Sequence, residues 1–347
     1  MSLVKKYTLK VHDIKQETVD SITLCFKQPG LRKIKYRAGQ YLTLSFRINE
    51  RKYSRPYSFS SAPSVDSFIE TTIKRVPEGI VSNYINDQVK VGDSIEVFEP
   101  MGDFVFDENV AIDTIYFWGV GSGITPLISI IKDVLNTKPL IKIHLVYGNK
   151  NFETTLFLSL IDELVNRYPN NFSYTYFHSQ GEMNEKTIPV NEGRIHKTFI
   201  LDLIKDTDVS KTMHYICGPA DLKNTIKEIL AVLGYPKTNV FTEDFELVKD
   251  PKDFEDIITQ NVTISFEGVE NQIKVIKGKS ILDVALDAGI EVSYSCQTGS
   301  CNTCKGKLIS GKMKMIGLTS ERLDLDKDEY LMCCSYPSTD NVYIEIE

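Results

Sequence analysis

The sequence predicts a multidomain chain of three parts: an antiparallel β-barrel, an α/β domain on a parallel sheet, and a small terminal unit. Three observations carry this. Short alternating strands fill the first hundred residues, a strand–helix rhythm starts near Val110, and five of seven cysteines crowd into the last 52 residues. At 347 residues the chain exceeds one ordinary core. Its 42% apolar and 25% charged content is that of a globular protein. With a net charge of −7 and no basic run beyond a pair such as Lys5-Lys6, no nucleic-acid partner is expected. No secretory h-region opens the chain and no apolar stretch approaches the roughly 20 residues of a membrane span, so a cytoplasmic protein is expected.

Residues 1–107 form the first domain. Tyr7–Val11, Ser21–Phe26, Tyr41–Phe46 and Ser94–Phe98 alternate as strands, and one helix is expected at Ser82–Gln88. Many short strands with a single helix read as an antiparallel barrel. Residues 108–246 form the second domain. Strands are expected at Ala111–Trp118, Ile141–Tyr147, Phe172–His178, Met213–Cys217 and Val240–Phe245, with helices at Pro126–Asn136, Glu153–Arg167 and Ala220–Leu233. That alternation implies a parallel sheet covered on both faces. Residues 247–260, acidic and with Pro251, read as a linker. The last domain, 261–347, opens with strands Val262–Phe266 and Gln272–Ile276 and a helix Ser280–Ala288 capped by Ser280.

Cys296, Cys301 and Cys304 stand as C-x4-C-x2-C, and Cys334 follows after 29 residues. This is the spacing of a plant-type [2Fe–2S] site. A cluster needs four converging thiolates and a loop whose backbone N–H groups approach the sulfurs, and Ser295, Thr298, Gly299, Ser300 and Asn302 are small enough to allow it. A structural zinc site is the alternative, but it usually pairs two C-x2-C motifs or adds histidines. The tail has one such pair and no histidine. Cys333 competes with Cys334 as fourth ligand. The segment Tyr294–Cys301 and the ending Leu331–Pro337 resemble a plant-type ferredoxin domain, which implies a β-grasp fold and favours Cys334.

Arg55-Pro56-Tyr57-Ser58 resembles the R-x-Y-[ST] signature of the ferredoxin–NADP reductase superfamily. The resemblance implies FAD. Arginine can grip a diphosphate, tyrosine offers a flat face to the isoalloxazine, and Ser58 can hydrogen-bond near flavin N5 as a catalytic residue. The stretch Lys74–Tyr84 resembles the flavin-phosphate segment of that superfamily, so Lys74, Val76, Gly79, Val81 and Ser82 are expected at FAD. Backbone N–H groups at a helix start are a ready anion site.

Gly119-Val120-Gly121-Ser122-Gly123-Ile124-Thr125-Pro126 follows a strand and opens a helix. It departs from the Rossmann G-x-G-x-x-G spacing and resembles the superfamily's G-x-G-x-[GA]-x-[ST]-P turn. Gly119, Gly121, Ser122, Gly123 and Thr125 are thereby expected at the nicotinamide cofactor, with Thr125 capping the helix. Cys217-Gly218-Pro219 matches the superfamily's C-G-P, which places Cys217 beside the nicotinamide as a catalytic residue. No acid stands at the end of strand Ile141–Tyr147, and Asn149 and Lys150 follow, so Lys150 inclines the choice towards NADPH over NADH. Phe245 is the aromatic residue expected against the flavin, with Glu243 a weaker candidate there. None of the five histidines sits in a motif.

The resemblance covers nearly the whole chain and is strongest to reductase components of multicomponent oxygenases, of the phenylacetyl-CoA epoxidase and 3-ketosteroid 9α-hydroxylase type. It implies an enzyme that takes hydride from NAD(P)H onto FAD and passes single electrons through a [2Fe–2S] cluster to a partner protein, an oxygenase or hydroxylase component. A ferredoxin or flavodoxin reductase, a desaturase donor and a redox sensor without turnover are the alternatives.

Overall fold

Strand β1 (Lys6–Thr18) is longer than its alternating core Tyr7–Val11, because register shifts at Val11/Asp13 and Gln16/Thr18 bend it. Its first half pairs with β6 (Ser94–Phe98) and its second with β2 (Ser21–Phe26). With β3 (Tyr41–Ile48), β4 (Arg51–Ser58) and β5 (Ile69–Lys74), the six strands pair in the order β4-β3-β6-β1-β2-β5. The helix of this domain, α1, spans Ile80–Gln88. The computed structural model describes residues 4–30, 33–181, 188–318 and 321–346.

The second domain is a parallel sheet of β7 (Thr114–Val120), β8 (Lys142–Asn149), β9 (Phe172–His178), β10 (Val190–Glu192), β11 (Thr212–Cys217) and β12 (Val240–Glu243), in the order β10-β9-β8-β7-β11-β12. Alternate side chains serve two cores. Ile115, Phe117, Leu145, Tyr147 and Tyr215 pack on one face with α2 (Ile124–Thr137) and α3 (Leu158–Arg167). Tyr116, Trp118, Val146, Phe177 and Ile216 pack on the other with α4 (Lys197–Ile204) and α5 (Ala220–Val232). The helix expected from Glu153 is shorter than its sequence suggests. Asn151 caps a 3₁₀ turn at Phe152–Thr154, and Phe157 takes a left-handed φ of 60°, so α3 begins only at Leu158.

The chain divides into two compact units. One holds Lys5–Leu44 and Tyr57–Glu243, and the other joins Ser45–Pro56 to Asp244–Glu347. In the latter, β13 (Gln260–Phe266), β14 (Val269–Val275), β15 (Lys305–Ser310), β17 (Glu329–Leu331) and β19 (Val342–Ile346) form a sheet ordered β14-β13-β19-β15-β17. Between these strands in sequence, β16 (Met313–Met315) pairs with β18 (Ser335–Pro337). Helix α6 (Ile281–Asp287) buries Ile281, Leu282 and Ala285, and Ser280 caps it in a capping box with Asp283, as its sequence predicts. The acidic stretch read as a linker is folded onto this unit. Leu247 packs on the core, and Phe254 meets Tyr336 edge-on at 4.9 Å beside buried Ile257. Its few apolar residues are spaced too irregularly to announce themselves.

Candidate functional site

The flavin segment is built from a turn and a helix start. Gly79 is the N-cap of α1, and no side chain caps the helix there. The first-turn N–H groups therefore remain available to an anion. Ser82 Oγ accepts the Val76 N–H at 3.1 Å, leaving its own proton to donate, and Asn83 Nδ2 donates to the Gly79 carbonyl at 2.8 Å. A Cβ on Gly79 would lie 2.7 Å from Ser82 Oγ, so glycine is required for this closure. Lys74 is committed to an ion pair with Asp20 at 3.5 Å. Val81 is core, whereas Val76 is exposed. On β4 the pleat puts Arg55 and Tyr57 on one face and buries Ser54 and Ser58 on the other. The residues present fit an FAD diphosphate cradle.

The glycine turn expected at the nicotinamide cofactor lies at the carboxyl ends of the central strands, where open α/β sheets bind ligands. Gly119 pairs with Cys217 and Val120 with Gly148, so three strand ends are level. Gly121–Gly123 is a 3₁₀ turn in which Gly121 has φ +56°, and the Tyr147 hydroxyl donates to the Gly121 carbonyl at 3.0 Å. A Cβ on Gly123 would sit 2.2 Å from the Cys217 carbonyl oxygen. Thr125 does not cap the helix. Helix α2 starts at Ile124 after Gly123, and Thr125, one residue inside, donates to the Ser122 carbonyl at 2.9 Å. Cys217 is buried at the end of β11, and burial followed by the Glu243 charge pushes its thiol well above the ordinary range. Gly218 and Pro219 continue into α5, while Lys150 is exposed past Asn149. Phe245 follows β12 and is half-exposed; Phe241, inside β12, stacks on Tyr215 at 4.7 Å.

In the cysteine loop Gln297 and Gly299 both take positive φ, turning the backbone inward. The N–H groups of Thr298 and Cys301 each donate to Cys296 Sγ at 3.4 Å, the contact a thiolate ligand needs. A hydrogen bond to Cys296, then burial, holds the Cys301 thiol up. The Cys304 thiol is raised first by a hydrogen bond to Cys333 and then by burial. Cys334 Sγ donates to the Leu331 carbonyl at 3.5 Å and is fully buried. All seven cysteines are free thiols. Among the described residues no trio of ligating side chains converges on one point, so the cluster reading stands on spacing and on the N–H donors at sulfur. Both fit an iron–sulfur ligand loop.

Family models match in the same order: an oxidoreductase FAD-binding domain over 8–106, an oxidoreductase NAD-binding domain over 117–228, and a 2Fe-2S iron-sulfur cluster binding domain over 264–338. The ferredoxin reductase component of 3-ketosteroid-9-alpha-monooxygenase from Rhodococcus rhodochrous is 30% identical over 353 residues, covering 97% of this chain and 96% of that protein. This chain belongs to the oxygenase ferredoxin-reductase family. A 1,2-phenylacetyl-CoA epoxidase component from Escherichia coli K12 is 28% identical over 98% of both chains. Among solved structures, phthalate dioxygenase reductase superposes with a TM-score of 0.69 over 98% of both chains at 22% identity, a likeness of fold. As a member of this reductase family, the chain is an FAD- and NAD-binding oxidoreductase carrying a [2Fe–2S] domain.

Sequence reasoning left unnoticed three residues that hold the candidate segments of this reductase: Tyr147, bonded to Gly121, and Ser54 and Arg322, bonded to the cysteine loop. Each acts on a backbone carbonyl or a loop distant in sequence, and no short motif encodes such a pairing. His214 accepts from Trp118 Nε1 at 3.2 Å, and burial depresses its pKa to about 3. Among the described residues no helix is long and apolar enough to cross a membrane.

Proposed function

We propose that this chain is the reductase of a multicomponent oxygenase, delivering electrons from NAD(P)H to an oxygenase or hydroxylase partner protein. The observation that carries it is the loop of N–H donors on Cys296, standing on a chain that aligns end to end with oxygenase reductases. Bound FAD supplies the conversion of a hydride into single electrons, and the cluster carries those electrons one at a time. The chain's own residues bind and orient. Val81 and Ser82 present helix-start N–H groups to the flavin diphosphate, with Gly79 closing the turn as N-cap, Arg55 as the cation and Tyr57 as the flat face. Val76 and Pro56 shape the adjoining backbone, and Lys74, held by Asp20, adds positive charge. The Gly121–Gly123 turn receives the nicotinamide pyrophosphate, with Cys217, Gly218 and Pro219 at the neighbouring strand end. Cys296, Cys301, Cys304 and Cys334 are the four ligands.

Lys150 favours NADPH in this reading, since β8 ends without an acid to hold a ribose hydroxyl. Anaerobic titration with NADPH and NADH in parallel tests the scheme. Bleaching of both flavin and cluster absorbance is expected, with the larger kcat/KM for NADPH. Flavin bleaching that never reaches the cluster would exclude the proposed order.

A further inference from the structure

Arg322 is the only arginine after Arg194 in the sequence. Its side chain is 13% exposed, although it lies in an irregular segment between β16 and β17. Four hydrogen bonds place it. Nη1 donates to the Gly299 carbonyl, Nη2 to Asn302 Oδ1 at 2.5 Å, Nε to Asp324 Oδ1 at 2.8 Å and Nη2 also to Asp324 Oδ2 at 2.7 Å. Asn302 Nδ2 closes the ring by donating to Asp324 Oδ2 at 3.0 Å.

The two loop positions held by this guanidinium bracket one ligand. Gly299 lies before Cys301 and Asn302 directly after it. Cys301 is also the one cysteine of the seven that is not buried. A left-handed Gly299 offers its carbonyl to a planar five-donor fork, a match that a lysine cannot reproduce. The fork is fixed at its base by a carboxylate that is half exposed, so the cation is the better buried member of the pair.

We propose that Arg322 is a positioning residue of the [2Fe–2S] centre: with Asp324 and Asn302 it clamps the Cys301 side of the ligand loop and sets the cluster's reduction potential by favouring the more negative, reduced state. Net charge and loop rigidity are two of the levers by which a protein tunes an iron–sulfur couple. A cation beside the cluster stabilises the added electron, and Asp324 partly offsets it. This inference rests on Cys296, Cys301 and Cys304 being cluster ligands.

The test is an EPR-monitored reductive titration of the intact holoprotein, with iron content measured on each sample. Arg322→Gln is expected to make the cluster harder to reduce, lowering the reduced-to-oxidised ratio at fixed ambient potential by about threefold or more, and Asp324→Asn to move it the opposite way. Arg322→Lys restores charge without the fork, and is expected to keep the wild-type ratio while losing iron faster to a chelator. If Arg322→Gln loses its iron on purification, the Asp324→Asn and Arg322→Lys pair decides the matter. Unchanged ratios in fully loaded variants overturn the clamp. Wild-type protein that binds no two-iron centre overturns the ligand reading instead, so the two failures are distinct.

Discussion

The backbone N–H of Ser54 donates to the Tyr294 hydroxyl at 3.0 Å, with both residues 3% exposed. Gln297 Nε2 donates to the carbonyl of the same serine at 3.4 Å. Both backbone groups of Ser54 are thus satisfied by residues that flank Cys296, within one compact unit. Nearby, Arg47 pairs with Glu291 and Arg51 with Asp287, each at 2.9 Å, but these pairs are exposed and contribute little by themselves. The buried bond is the one that matters to the ligand loop.

Tyr294→Phe keeps the ring in the core and strands the Ser54 N–H. A buried donor without a partner costs roughly 1–3 kcal/mol. The denaturation midpoint of the C-terminal unit, followed by loss of cluster absorbance, is expected to fall accordingly, with iron content before denaturation unchanged. An unshifted midpoint would show that the bond contributes nothing.

Adjacent Cys333 and Cys334 make a sharper pair. Spacing favours Cys334, while Cys333 is the residue that hydrogen-bonds the Cys304 thiol. We expect Cys334→Ser to lose the cluster and Cys333→Ser to retain two irons per chain. Metal analysis after anaerobic reconstitution reads this directly, and the reverse result would transfer the ligand role to Cys333.

What the sequence made legible follows from where each feature's partners lie. The C-x4-C-x2-C loop, the glycine turn and the Ser280 cap are local, so their chemistry can be read off neighbouring residues. Strand β4 escaped notice because Arg51–Ser58 is polar with a central proline, and only pairing makes it a strand. The stretch 247–260 resembles a linker by charge, yet Leu247, Phe254 and Ile257 find apolar partners far along the chain. The Thr125 cap failed by two positions, since a 3₁₀ turn starts the helix early and Gly123 is its N-cap. Arg322 meets partners 20 and 23 residues away, beyond any window of periodicity.

Gly123→Ala probes the nicotinamide turn. The added Cβ would lie 2.2 Å from the Cys217 carbonyl oxygen and 2.7 Å from its carbon, both backbone atoms. The turn must shift, and the site that Gly121–Gly123 and Cys217 share shifts with it. We expect KM for the nicotinamide to rise at least about tenfold, equivalent to about 1.4 kcal/mol, with flavin content intact. Wild-type KM would place the cofactor elsewhere.

Glu243 gives a pH dependence whose sign is fixed. Burial pushes its carboxyl from 4.5 up to about 7, Asp103 adds to this, and Lys223 opposes it. The folded protein therefore holds a proton that the unfolded chain releases over this range. Stability from this group is complete below about pH 4.5 and is lost as pH rises through about 7, by at most about 3 kcal/mol. Glu243→Gln is permanently neutral, and its thermal midpoint should match wild type near pH 5 and exceed it near pH 8. Cys217, whose thiol is raised partly by the same carboxylate, should then titrate lower in the variant. Melting curves of holoprotein across that pH range decide the point: parallel profiles for the two proteins would mean that Glu243 stays ionised in the fold.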